Sequence, residues 1–580
     1  MAIAPALPAA SRASWSWLGT QGPSPEEIAN RESPDLPATA LPQPAVRLRV
    51  VEEGPDALAA LADDVLAEVH QPAARPVTHC HAEEPALRRE PRRLGRVTQS
   101  SQHSPSLDRQ SPAATAPGAA HVTPRGTHHR ARYPYPMAAS LDSLPFRHVL
   151  PHSAALSPAG RLSIGGCDVR DLATEFGSPL YVFDEADFRA TCQEFRREFE
   201  QRWPNLRVAY AGKAFLSRGI ARILAEEGIG MDVVSGGELA VARAAGFPAE
   251  NLYFHGNNKL PSELAAALDN GGIGRVVVDN FYELETLEQL AGERGVTQPI
   301  LLRISPNVDP HTHAKTTTGV LDSKFGFAVA TGDAERAVKQ AMEAKHLDLR
   351  GLHVHLGSPI FETEPYEQGN AVVAAFASQM GDIHGFEFKE YSPGGGFALA
   401  YTREQHPPSI AEYAETVTAS LRRALEQHHL PEPVMHIEPG RALVGRSMVA
   451  LYTVGARKEI PGVRTYVSLD GGMADNIRPA IYGSKYEAFA AERPLAEPEE
   501  TVTLAGKYCE SGDILVSDAE VPRFTPGELV ALPASGAYNL AMSSNYNLAQ
   551  RPPVVAVQDG EARLFVRRET VDDLLARDMG

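Results

Sequence analysis

Arg207-Val-Ala-Tyr-Ala-Gly-Lys-Ala-Phe215 is the stretch from which the fold can be read. Val208 to Ala211 combines small and aromatic residues with no helix-period polar face, which predicts a short buried strand. Lys213 follows the carboxyl end of that strand, between Gly212 and Ala214. A lysine there is either a solvated cation, as most lysines are, or an amine kept in a dry site as a nucleophile. On the strand alone the solvated reading is the better one. The segments around it reverse that preference.

Outward from Lys213, strand and helix patterns alternate. Upstream, Val169 to Phe176 reads as a helix and Pro179 to Phe183 as a strand. Asp184 can then cap a helix through Arg202, whose Phe188, Cys192, Phe195 and Phe199 repeat at helical spacing. Downstream, strands are predicted at 231–234, 252–255, 276–279, 300–304, 351–355, 389–392 and 434–438. Helices are predicted between them at 220–227, 238–245, 262–268, 282–293 and 334–344. Eight or so strand–helix units in about 250 residues match a (β/α)8 barrel. Past Ala442 the helices thin out, and short β-rich pieces at 448–454, 464–469, 501–505, 529–532, 554–557 and 562–566 predict a separate β domain. The expected fold is thus α/β, with residues 143–185 joining the β domain, 186–445 forming the barrel and 446–580 the C-terminal β domain.

Residues 1–142 differ in kind. They are rich in Ala, Pro, Ser, Arg and His, and cannot bury enough apolar area to offset chain entropy, so a disordered tail is expected. Within it, Asp56 to Val69 can form one amphipathic helix, and His79-Cys80-His81 lacks a fourth ligand for a metal. Met137 immediately precedes the globular texture, which raises the expectation of a start there. The whole chain of 580 residues is 43% hydrophobic with a net charge of −18. That balance argues against nucleic acid or an anionic membrane as a partner. Four scattered cysteines suit a reducing compartment. With no run of about 20 apolar residues and no basic, apolar leader, a cytoplasmic protein is expected.

In a barrel of this kind the chemistry sits at the carboxyl ends of the strands. Gly351-Leu-His-Val-His-Leu-Gly-Ser358 places His353 and His355 on one side of a strand. They read as metal ligands, a satisfied core pair, or a flat plate beneath a planar group. No acidic third ligand has a matching spacing, so no metal is expected. Gly394, Gly395 and Gly396 open a loop whose N–H groups can surround a phosphate or simply turn. Glu438-Pro-Gly-Arg441 ends another strand with a carboxylate and a guanidinium, an arrangement that a surface ion pair would also produce. An amine, an aromatic plate, a phosphate cradle and a buried carboxylate together describe a pocket for pyridoxal phosphate. In it the lysine forms a Schiff base, and an anion facing the ring nitrogen makes the ring an electron sink.

Those pieces, with Tyr210-Ala-Gly-Lys-Ala214, Asp232-Val-Val-Ser-Gly-Gly-Glu-Leu239, His255-Gly-Asn-Asn-Lys259, Asp470-Gly-Gly-Met-Ala-Asp-Asn-Ile-Arg-Pro-Ala-Ile-Tyr-Gly483, Cys509-Glu-Ser-Gly-Asp513, Gly536-Ala-Tyr538 and Ser544-Asn-Tyr-Asn547, occur in one order. From about Leu150 onward the chain resembles the barrel-fold (fold-type III) pyridoxal-phosphate-dependent decarboxylases, and within them the diaminopimelate decarboxylases. The resemblance implies that Lys213 carries the cofactor and His355 stacks on its ring. It also implies that Ser358, Gly394, Gly395, Gly396, Glu438, Pro439, Gly440, Arg441 and Tyr538 hold the phosphate and ring nitrogen, with Asp232 and Arg303 nearby. Cys509 would be the proton donor. Cys509 and Glu510 would come from the partner subunit, so a homodimer with shared active sites is implied. Arg441, Arg478, Tyr482, Glu510 and Tyr538 would bind substrate.

A bidentate arginine at 478 suits a distal carboxylate and Glu510 a distal ammonium. The implied reaction is therefore decarboxylation of meso-2,6-diaminoheptanedioate to L-lysine and carbon dioxide. The rivals are a same-fold decarboxylase of ornithine, arginine or a carboxylated polyamine, a non-catalytic regulatory relative, and a racemase. A regulatory relative would lack Lys213 or Cys509, and a racemase would replace the Cys509–Glu510 pair with a tyrosine. Pro359, where the family commonly has glutamine, and the Ser305–Pro310 run before His311-Thr-His313 depart from the pattern.

Overall fold

The computed structural model describes residues 140–310 and 317–580. The helix expected at Asp56–Val69, the His79-Cys80-His81 triplet, the start at Met137 and His311-Thr-His313 lie outside the described residues, as does nearly all of the tail.

Eight parallel strands close into a barrel: β1 (Leu206–Ala211), β2 (Gly230–Val233), β3 (Leu252–Phe254), β4 (Arg275–Val278), β5 (Gln298–Ser305), β6 (Leu347–His353), β7 (Glu390–Gly394) and β8 (Val434–Ile437). Each pairs with the next, and β8 returns to β1. Parallel strands covered on both faces read as unbroken apolar runs. Accordingly β2, β4 and β7 are buried at every position. The connecting helices start where the local chemistry supplies caps. Asp184 accepts from the Asp187 N–H at 3.1 Å to open Glu185–Glu200, whose Phe188, Cys192, Phe195 and Phe199 are all fully buried. Ser235 accepts from the Glu238 N–H at 3.2 Å while Glu238 reaches back to the Val234 N–H at 2.7 Å. Reciprocal capping of this kind explains the Ser-Gly-Gly-Glu spacing after β2.

Two long helices, Glu364–His384 and Ile410–Gln427, were not foreseen from the periodicity. The buried face of the first includes Gly369 and Asn370, which break its apolar stripe. Asn370 donates to the Val417 carbonyl at 3.0 Å and to Ser420 Oγ at 2.9 Å, and accepts from the Tyr391 hydroxyl at 2.9 Å. It therefore pins both helices to β7. The second helix has a capping box at Ser409 and Glu412, a signal that could have found it.

The amino-terminal end of the barrel is plugged by a buried polar layer. Arg275 donates to Glu390 at 2.7 Å, His436 lies 3.1 Å from Glu390, and His436 Nδ1 meets the Tyr253 hydroxyl at 3.1 Å. The carboxyl ends of the strands are left for chemistry.

The β domain is a nine-stranded sheet. Leu180–Asp184, which precedes the barrel, pairs antiparallel with Met448–Ile460 and parallel with Val554–Gln558. One chain crossing thus ties the barrel's first helix to the C-terminal sheet. Strand Ile514–Val521, unforeseen, forms one margin of that sheet. Where the two parts meet, the Tyr538 N–H donates to the Ala214 carbonyl at 2.9 Å, beside the turn that carries Lys213.

Candidate active site

β1 ends at Ala211, and a single 3-10 turn, Gly212–Ala214, follows it. The turn is held from below by the Tyr210 hydroxyl on the Phe215 carbonyl at 2.7 Å. From the side, the Ala211 N–H reaches the Pro439 carbonyl at 3.1 Å. Gly440 is required here because a Cβ on it would sit 2.9 Å from that of Ala211. Lys213 is accessible and opens into a cavity of about 620 Å³ at the carboxyl ends of the strands. That volume is in the range of small-ligand sites.

Of the residues singled out from the sequence, Lys213, Asp232, His355, Ser358, Gly396, Glu438, Gly440, Arg441, Arg478, Tyr482, Tyr538 and Arg303 line the cavity. Gly394, Gly395 and Pro439 lie behind its wall. A Cβ on Gly395 would overlap the Glu438 carbonyl oxygen, and one on Gly394 the Val354 carbonyl oxygen. Those two glycines therefore let three strand ends close up. Cys509 and Glu510 are exposed and outside the lining. The Cys509 N–H donates to Asn547 at 3.0 Å and its carbonyl accepts from the Tyr546 hydroxyl at 3.2 Å.

At the floor, Glu438 accepts from Ser392 Oγ at 2.6 Å and meets His353 Nε2 at 3.1 Å. Burial works to raise its pKa, but His353, His255 and these hydrogen bonds hold it well below the usual carboxylate range. Asp232 responds in the opposite sense, because burial and the neighbouring Glu438 charge push it well above its ordinary value. Like charges confined together resist ionising at once, so Glu438 is the acid that ionises more readily and Asp232 the one that resists. Burial lowers His255 and His353 to about 4 each, so both imidazoles are neutral near neutral pH. His355 is driven well below its ordinary value, by burial and then by Lys213, and its Nδ1 accepts from the Gly395 N–H at 3.3 Å. It is an uncharged ring, as a stacking plate requires. Strand β6 ends at His353 rather than His355, yet both side chains face the cavity.

His255, His353 and Glu438 place ligand-type atoms within 4.8 Å of one another. The acidic third group that sequence spacing did not supply thus comes from β8. His255 Nε2 and Asp232 Oδ1, 3.5 Å apart, have no hydrogen-bond partner in the buried floor.

The opposite wall is cationic. Arg441 donates to the Tyr401 hydroxyl at 2.7 Å and lies 3.4 Å from Ser358 Oγ. Arg478 donates to the Tyr486 hydroxyl and stacks 4.5 Å from the centre of the Tyr401 ring. Both arginines are buried, and among the described residues neither forms an ion pair with a carboxylate. Burial disfavours ionisation of Tyr401, but the two guanidiniums outweigh it and bring its pKa below the ordinary value. Tyr401 was missed from the sequence, as was the site role of His255; the His255-Gly-Asn-Asn-Lys259 motif was the available signal.

The residues fit pyridoxal phosphate on three observations made among the described residues: an accessible amine, a buried anion at the floor with an unpartnered neutral imidazole beside it, and cationic groups in the lining without a carboxylate partner.

A family profile described as "Pyridoxal-dependent decarboxylase, pyridoxal binding domain" matches residues 185–445. The diaminopimelate decarboxylase of Bacillus subtilis is 46% identical over 420 residues, 72% of this chain and 95% of its own. That of Synechocystis is 43% identical over 444 residues, 75% of this chain and 93% of its own. A crystal structure of diaminopimelate decarboxylase from M. jannaschii in co-complex with L-lysine superposes with a TM-score of 0.70 at 33% identity, covering 74% of this chain and 98% of that one. By these matches this chain belongs to the diaminopimelate decarboxylases, within the pyridoxal-dependent decarboxylase family.

Proposed function

We propose that this chain decarboxylates meso-2,6-diaminoheptanedioate to L-lysine and carbon dioxide, the last step of lysine synthesis by the diaminopimelate route. The observation that carries this is the pair of buried arginines, Arg441 and Arg478, in the same cavity as Lys213 and without a carboxylate partner among the described residues. A substrate ending in a lone ammonium would leave that wall uncompensated. The relative crystallised with L-lysine is consistent with lysine as the product.

Pyridoxal phosphate, when bound, supplies a conjugated ring that accepts the electron pair left as the bond from Cα to the departing carboxylate breaks. The chain's own groups serve that chemistry in distinct ways. Lys213 Nζ is the amine that would hold the cofactor. Glu438, kept ionised by its partners, favours a proton on the ring nitrogen. The neutral His355 offers a flat face without adding positive charge. Ser358 and Gly396 suit the phosphate, and Arg441 and Arg478 with Tyr482 suit the distal carboxylate. The dry floor protects the charged groups from water, which strengthens each interaction.

Cys509 and Glu510 stand outside the cavity of their own chain, on an exposed loop next to Tyr546 and the 74%-exposed Leu548. This supports a homodimer in which that loop enters the partner's cavity, Cys509 returning a proton to Cα and Glu510 meeting the distal ammonium. The division into a joining segment (143–185), a barrel (186–445) and a β domain (446–580) belongs to the same reading. So does a cytoplasmic location: no described helix is long and apolar enough to cross a membrane, and Cys167, Cys192 and Cys509 are free.

The test is carbon dioxide release from meso-2,6-diaminoheptanedioate, ornithine, arginine and L-lysine, with and without added cofactor. Turnover of the first alone is expected. Arg478→Ala should lower kcat/KM by about 30-fold or more, the lower end of the roughly 2–5 kcal/mol for breaking a buried charge pair. Preferred turnover of ornithine, or an unchanged Arg478→Ala enzyme, rejects the reading.

A further inference from the structure

The cationic wall poses a problem that its anion-binding role does not solve. Two guanidiniums are buried side by side and must stay apart, charged and fixed before any ligand arrives. The ring of Tyr401, only 5% exposed, touches both. Arg478 lies over it at 4.5 Å, and Arg441 lies 5.9 Å from its centre and donates to its hydroxyl at 2.7 Å. Aromatic faces attract guanidiniums, so one ring contacts both cations, and Tyr538 adds a second face to Arg441 at 4.8 Å. Tyr401 is itself immobilised. Its N–H donates to Gln405 at 2.7 Å, its carbonyl accepts from the Glu487 N–H at 3.1 Å, and its ring meets Tyr486 edge-on at 5.3 Å and 79°. Tyr486 accepts from Arg478 and donates to Asn539 at 3.0 Å, which extends the brace into the β domain. Tyr401 also follows directly on the glycine loop of β7, so the brace has one foot on each part of the fold.

We infer that Tyr401 is a specificity-determining positioning residue whose ring sets the spacing of Arg441 and Arg478, so that the cavity selects amino acids carrying a second anionic end at one chain length. This rests on the decarboxylase reading and deepens it. Tyr486 supports Tyr401 by fixing Arg478 against it.

The experiment uses the cofactor-loaded enzyme and two variants, Tyr401→Phe and Tyr401→Leu. Tyr401→Phe keeps the ring and removes only the hydroxyl that Arg441 uses. Its KM for meso-2,6-diaminoheptanedioate should rise about 10-fold, a typical loss for one charge-assisted hydrogen bond, with kcat within about twofold. Tyr401→Leu removes the spacer, and its preference for that substrate over the diamino diacid one methylene shorter should fall by about 10-fold or more. Calorimetric titration supplies a readout independent of turnover. The Kd of pimelate, a dicarboxylate of the same chain length, should weaken about 10-fold in Tyr401→Phe, while that of pentane-1,5-diamine, which carries no carboxylate, should change less than about twofold. Equal weakening of both ligands, no weakening of pimelate, or a wild-type enzyme that does not bind pimelate overturns the inference. Should Tyr401→Leu fail to fold, the Phe variant still decides. A wild-type enzyme that binds pimelate but does not release carbon dioxide from diaminopimelate would defeat the decarboxylase reading and leave the spacing result standing.

Discussion

Glu438 and Asp232 share one desolvated floor, and the division of labour between them is set by partners rather than by position. Glu438 has Ser392 at 2.6 Å and His353 at 3.1 Å, whereas Asp232 Oδ1 has no hydrogen-bond partner among the described residues. Asp232 is therefore the acid that holds its proton to the higher pH, losing it as pH rises through its raised pKa. Replacing each acid by its amide separates the roles. Asp232→Asn mimics the protonated acid and is expected to keep kcat at neutral pH within about tenfold of wild type. Glu438→Gln removes the charge opposite the ring nitrogen and should cost about 10²-fold or more, a typical loss for one pre-organised electrostatic group. Single-turnover decarboxylation rates measure both, and the reverse order would exclude the assignment. Lys213 and Glu438 could be picked out from sequence because each adjoins a strand end with a distinctive neighbour. Tyr401 could not: among 17 tyrosines nothing local marks the one that touches two arginines.

One loop owes its shape to a buried ion pair. Lys259, on the segment after β3, donates to Glu283 at 2.7 Å, to the Gly256 carbonyl at 2.9 Å and to the Val277 carbonyl at 2.8 Å. Both charged side chains are 1% exposed. Asn280, which caps helix Phe281–Arg294, donates to the Asn257 carbonyl at 2.9 Å from the same side. These contacts aim His255, Asn257 and Asn258 into the cavity. Burial raises the Glu283 pKa to about 6 even against the attraction of Lys259. Removing one partner strands a charge, whereas removing both does not. Lys259→Met should therefore destabilise the protein by about 3–5 kcal/mol, and Lys259→Met/Glu283→Leu should recover most of the loss, as read by urea denaturation at pH 7. A double variant no better than the single one would mean that the backbone contacts of Lys259, not the ion pair, hold the loop. The motif His255-Gly-Asn-Asn-Lys259 was visible as a string, but its partner lies 24 residues away on another element.

On the scale of the molecule, the proposed homodimer would bring a second chain to the site. The cavity holds Lys213 but not Cys509, and the latter's loop is exposed with apolar neighbours. If sites are shared, Lys213→Ala and Cys509→Ala homodimers are each impaired, yet mixing them under subunit exchange should restore about a quarter of wild-type activity. Half the dimers are then mixed, and each of those has one intact site. No recovery on mixing, with exchange verified by differently tagged subunits, would exclude the shared arrangement.

The sequence by itself determined the barrel, the β domain and the amine at the end of β1. These follow from local periodicity, caps and turn chemistry, which act over a few residues. It did not yield the two helices at Glu364–His384 and Ile410–Gln427, since the buried face of the first contains glycine and asparagine and Asn370 is satisfied only by side chains of other elements. Only the tertiary structure decided which acid ionises more readily, how Lys259 finds Glu283 and how one tyrosine meets two arginines. Desolvation and charge coupling depend on distance through space, and a chain of residues does not carry that distance until it is folded.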